Sequence, residues 1–180
     1  MTPRLSRWGR GAATFATLLL LTGGGRESPS APLPPAMAPG QPLPRELVAA
    51  WTKAGATVGW MKDDEGWLLF RQGVEGKPGE VPAFHFGKWT GGAVGQLPQP
   101  QRAFGLSLRG PQVTDAGLVE LAALTGLQTL VLFNTKVTDA GLKELARLKG
   151  LQELALHGTK VTDAGVAELQ KELPTLKIVR

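Results

Sequence analysis

Apolar and polar positions change their spacing several times along the chain, and each change predicts a different element. Residues 12–21 form an apolar run without a charge, preceded by Arg4, Arg7 and Arg10 and followed by Gly23, Gly24 and Gly25. From 44 to 54, Leu47, Val48 and Trp51 fall on one helical face. Pro44 suits the first turn of that helix and Gly55 its C-terminal cap. Residues 56–61 and 67–71 read as two strands, and 62–66 has the turn chemistry to join them as a hairpin. Residues 81–89 add another strand. From 103 onward a new regime begins: Leu130 and Leu132 alternate as in a half-buried strand, whereas Leu142, Leu145 and Leu148 are spaced as one face of a helix.

That regime recurs. The string Val-Thr-Asp-Ala-Gly occupies 113–117, 137–141 and 161–165, a period of 24 residues. The units starting at Ala103 and Leu127 agree at 13 of 24 positions, and so do those starting at Leu127 and Leu151. Each unit predicts a strand, a corner and a helix. Thr138 or Asp139 is expected to cap the helix, since a side-chain oxygen can accept from its orphan amides, and Gly141 lets the helix start approach its neighbour. Strands of successive units should pair in parallel, because no single unit can bury both faces but a stack can. Ile178 stands 24 residues after Leu154, as a truncated fourth strand would.

These units resemble the VTDAGL-type leucine-rich repeats of planctomycete-like bacterial proteins, and are similar to the repeats of F-box leucine-rich proteins and Ran GTPase-activating proteins. The resemblance covers residues 103–180. It implies an α/β fold: a short leucine-rich-repeat solenoid of parallel strands plus helices, a scaffold that serves many partners. Thr135, Thr159 and Pro111 stand where the family usually places asparagine at the corner. Residues 27–102 do not look like an F-box, and no GTPase-activating arginine is assigned.

Charge and composition refine this picture. The net charge is +5, but Arg4, Arg7, Arg10 and Arg26 precede the first acid, and 16 basic against 15 acidic residues leave +1 for the rest. A nucleic-acid partner is therefore not expected. The absence of cysteine excludes disulfides, thiolate metal sites and cysteine nucleophiles. The basic-then-apolar start reads as a signal peptide over 1–26, its apolar run too short to span a bilayer, and predicts an extracytoplasmic protein: periplasmic, in the cell envelope or secreted. Gly24 stands where a lipobox would carry cysteine, so no lipid anchor is expected; an uncleaved leader would instead tether the chain to the membrane. Seven prolines between 27 and 44 predict a semi-rigid linker. The expected layout is thus a leader 1–26, a linker 27–44, a small aromatic-rich α+β capping segment 45–102, and repeats 103–126, 127–150 and 151–174 with a last strand in 175–180.

Function is the less determined half. The chain has no tyrosine, two histidines, no serine in a nucleophile elbow and no glycine-rich phosphate loop, so an enzyme is not expected; no metal or cofactor is expected either. Asp63, Asp64 and Glu65 read as a solvated loop tip, and His85, between two phenylalanines, as a structural histidine. Trp51, Trp60, Trp67 and Trp89 cluster with Phe70, Phe84 and Phe86, either as a core that caps the repeats or as a sugar-stacking platform. The first reading leads to a non-enzymatic protein-protein interaction module, the second to a carbohydrate or cell-wall binder. For the module, strand alternation places Ser107, Val131 and Ala155 in one outward column of the concave face and Arg109, Phe133 and His157 in the next, with Gly110, Asn134 and Gly158 at the strand ends. Ser107, Arg109, Val131, Phe133, Asn134 and His157 are the candidate binding residues. Phe133 has two readings, an exposed anchor or a residue packed beneath the N-terminal segment.

Overall fold

The 24-residue period becomes a strand–corner–helix unit in space. A computed structural model of the chain describes residues 41–64, 67–73, 75–89, 91–92 and 94–180. The leader and nearly all of the proline-rich linker expected from the sequence lie outside the described residues. Among those described, no helix is long and apolar enough to cross a membrane.

Helix α1 (Arg45–Lys53) is followed by strands β1 (Thr57–Asp64), β2 (Trp67–Gln72) and β3 (Val81–Phe86) and a short 3-10 turn, Val94–Gln96. The repeating part then runs β4 (Phe104–Arg109), α2 (Asp115–Leu121), β5 (Leu127–Phe133), α3 (Asp139–Leu145), β6 (Glu153–Ala155), α4 (Asp163–Glu172) and β7 (Lys177–Val179). All strands join one seven-stranded sheet in the order β2-β1-β3-β4-β5-β6-β7. The β1–β2 and β1–β3 pairs are antiparallel, and every pair from β3 to β7 is parallel. The fold is α/β. The sequence period is visible in the register, where Leu106 faces Leu130, Leu130 faces Leu154, and Leu154 faces Ile178.

One side of the sheet packs on the helices. Leu106, Leu108, Leu130, Leu132 and Leu154 share a buried cluster with Leu118, Leu121, Leu142, Leu145 and Leu148. The same cluster takes in Trp51, Phe84, Phe86, Trp89 and Phe104, so the aromatic segment and the leucine repeats have one continuous core. Trp51, Trp60 and Trp89 are 0%, 2% and 5% exposed. Their rings are therefore closed to a sugar, which corrects the stacking-platform reading for these three residues.

The units are clasped at the helix starts. Thr138 and Thr162 are the N-cap acceptors, taking hydrogen bonds from the amides of Ala140 and Gly165. The aspartates act sideways instead. The Asp115 carboxylate accepts from the Thr138 amide (2.8 Å) and hydroxyl (2.7 Å), and Asp139 does the same with Thr162 (2.8 and 2.7 Å). At the end of the series Arg180 takes the place of a threonine and pairs with Asp163. A Cβ at Gly141 or Gly165 would overlap the carboxylate of the preceding unit, which explains the glycine in the second and third repeats; at Gly117 the nearest neighbour is instead the Trp89 ring.

The corner threonines differ. Thr159 donates to the Leu156 carbonyl (2.9 Å), whereas the buried hydroxyl of Thr135 has no hydrogen-bond partner among the described residues. A buried unpaired hydroxyl costs stability and is replaced at similar volume by a methyl. Thr135→Val should therefore raise the unfolding free energy by up to about 1 kcal/mol. Urea denaturation measures this, and a clear loss of stability would mean that the hydroxyl is bonded after all.

The expected hairpin forms. Pairing continues to Asp64↔Trp67, so Lys62, Asp63 and Asp64 belong to β1 and not to a loop, although Lys62 and Asp64 are exposed.

Candidate functional site

The face of the sheet away from the helices is built from rows of side chains set by parallel register. One row runs Ala83, Gly105, Thr129, Glu153, Lys177; the next runs His85, Ser107, Val131, Ala155, Val179. Beyond them Arg109 faces Phe133, and His157 holds the equivalent place in the next unit. This face is concave, because Lys177 of β7 forms an ion pair with Asp63 of β1 although four strands separate β1 from β7 in the sheet. Only a curled sheet brings those two strands together.

The curl fills much of the face. Met61, Ala83, Val131 and Ala155 are buried as one small cluster, with Leu68, Phe70, Val81 and Phe133 packed against it. Two candidate residues are corrected by this. Ser107 and Val131 are 1% and 7% exposed; Val131 packs with Met61, Leu68 and Phe70 of the hairpin, which alternation along β5 cannot reveal. Neither is an accessible binding group. Phe133 packs partly against this cluster, so its second reading holds in part while the ring remains half-exposed.

Ser107 has an internal role. Its Oγ lies 3.0 Å from His85 Nδ1, and the Phe70 ring sits 5.3 Å from the imidazole. Burial and then the Arg109 charge hold His85 below its ordinary value, so it is neutral at pH 7. The structural role expected for His85 fits this pair. The serine as its partner was not legible, since the two are 22 residues apart and meet only through the β3–β4 register.

Asn134 is explained by backbone. It has φ 53°, between Gly110 at 98° and Gly158 at 69° in the neighbouring units. All three occupy the left-handed region that asparagine and glycine tolerate. A Cβ at Gly158 would overlap the Asn134 amide oxygen, so this pair fixes the corner.

What stays accessible lies at the C-terminal ends of the strands. Arg109 is exposed, and its guanidinium lies 4.9 Å from the centre of the Phe133 ring. His157 is half-buried, and its carbonyl accepts from the Asn134 amide (2.9 Å). At the opposite ends of the strands sits a charged group. Thr129 donates to Glu153 (3.3 Å), and Lys177 pairs with Asp63. Burial, then the Asp63 charge, raises the Glu153 carboxyl above its ordinary value.

In comparison with known proteins, the sequence matches no family model and no curated protein.

Proposed function

We propose that the chain is a short leucine-rich-repeat solenoid that works outside the cytoplasm as a non-enzymatic protein-interaction module. The 24-residue period and the all-leucine ladder of β4, β5 and β6 support the repeat assignment. The N-terminal sequence supports the location. The interaction surface is the mouth of the concave face, formed by Arg109, Phe133 and His157.

The observation that carries this reading is the Arg109–Phe133 stack. A guanidinium resting on an aromatic ring uses its flat face for that contact and directs its N–H donors outward from its edge. Arginine and aromatic residues are typical interface anchors, and a fixed planar fork suits a carboxylate. The matching partner is a protein that offers an acidic side chain beside an apolar one.

The test uses the tagged full-length chain and the double variant Arg109→Ala, Phe133→Ala. A partner recovered from envelope extract should lose at least about tenfold in affinity for the double variant, the scale of an interface anchor worth roughly 1–2 kcal/mol. An unchanged dissociation constant, with a wild-type denaturation midpoint, would move the interface elsewhere.

A further inference from the structure

β1 runs past the beginning of β3. Its pairing with β3 stops at Met61↔Val81, whereas Lys62, Asp63 and Asp64 continue to pair with Leu69, Leu68 and Trp67 of β2. This end of the hairpin therefore lies beyond the support of the main sheet. Side chains alternate along it. Lys62 and Asp64 meet each other on one side at 3.0 Å, while Asp63 projects from the other side into the curl, where it takes the ammonium of Lys177.

Glu153 completes the group. It faces Lys177 directly in the β6–β7 register and feels the charges of both Asp63 and Lys177. Met61, Leu68 and Phe70 of the hairpin pack over Val131 and Ala155, and Met61, Val131 and Ala155 are buried.

We infer that the Asp63–Lys177 pair is a buckle: it fastens the hairpin to the last strand and keeps the apolar row of Val131 and Ala155 covered, and its release uncovers that row while the parallel sheet stays intact. Three features set it apart from an incidental surface pair. It joins two strands whose only other connection within the sheet runs through four others. It acts on the part of the hairpin that β3 does not hold. Its neighbours act in opposite senses, so each shifts the contact in a known direction: removing the Lys177 charge takes away the attraction on Asp63, and removing the Glu153 charge takes away a repulsion. The buckle does not depend on what the mouth of the face binds.

Hydrogen exchange of the full chain tests this, comparing wild type with Lys177→Ala, Glu153→Gln and the reversed pair Asp63→Lys, Lys177→Asp. In Lys177→Ala the amides of residues 62–64 and 68–70 should exchange about fivefold faster, the scale of a partly exposed ion pair, while those of β4 and β5 keep the wild-type rate. In Glu153→Gln the same hairpin amides should slow. The reversed pair should restore the hairpin toward wild type. Unchanged hairpin exchange in Lys177→Ala overturns the inference. So does an equal acceleration across β4 and β5, which would mean global destabilisation, or a reversed pair no better protected than Lys177→Ala.

Discussion

Trp51→Ala should lower the free energy of unfolding by about 3–5 kcal/mol, the range for deleting a buried aromatic ring. The indole is fully buried on α1 and stacks on Phe84 with ring centres 3.9 Å apart and planes at 18°. Phe104 meets it edge-on at 6.0 Å, and Phe86 tilts toward it at 6.2 Å. Its Nε1 donates to the Pro98 carbonyl at 2.8 Å, which ties α1 to the segment leading into β4. Alanine would leave a cavity at the junction of the N-terminal segment with the leucine core, and would leave the Pro98 carbonyl without its donor.

Trp51→Phe separates the two contributions. It keeps an aromatic face for Phe84 but removes the indole N–H and part of the volume, so it should cost less, about 1–3 kcal/mol. Chemical denaturation of the three proteins, with near-ultraviolet circular dichroism to report on the aromatic cluster, makes the comparison. If Trp51→Ala costs less than about 1 kcal/mol, the aromatic segment is not integral to the core.

How much of this was legible in the sequence follows from the range of the contacts. The strand and helix of each unit come from neighbours in sequence: Leu130 with Leu132, and Leu142 with Leu145 and Leu148. The parallel register follows as well, because units of one length stack with equivalent residues aligned, as Leu106, Leu130 and Leu154 are. A concave face was legible from the repeats, but not the packing of the N-terminal hairpin into it: Asp63 meets Lys177 114 residues later, and nothing local to either residue signals the other. The turn of the hairpin misled for a related reason. Lys62, Asp63 and Asp64 have turn composition, yet pairing continues through them, with Lys62 and Asp64 paired on one side and Asp63 paired with Lys177 on the other. The candidate site inherited that gap. Alternation placed Ser107 and Val131 on the correct face, and only the tertiary packing of Met61, Leu68 and Phe70 buries that part of it. Arg109, Phe133 and His157 lie nearer the strand ends and stay accessible at least in part. The recurring aspartates were legible as helix-start residues, but their bonds to the next unit's threonine span 23 residues and required the stacked structure.

Leu130→Ala should cost about 3–5 kcal/mol and Leu154→Ala somewhat less, about 2–4 kcal/mol, by transfer and cavity formation. Both leucines are fully buried, so the lost transfer energy is the same and the difference lies in how far each site can relax. Leu130 is flanked in register by Leu106 and Leu154, both wholly buried. Leu154 has Leu130 on one side but the half-buried Ile178 of the edge strand β7 on the other. An edge strand with three residues can shift into a void more easily than the centre of the sheet. Lys143, exposed on α3, provides the control: Lys143→Ala should change stability by less than about 0.5 kcal/mol. Urea midpoints of the three variants decide the matter, provided the m-value stays constant. Midpoints for the leucine variants equal to that of Lys143→Ala would contradict the inward register of the repeats. A Leu154→Ala variant less stable than Leu130→Ala would show that the edge at β7 is held as rigidly as the middle of the sheet.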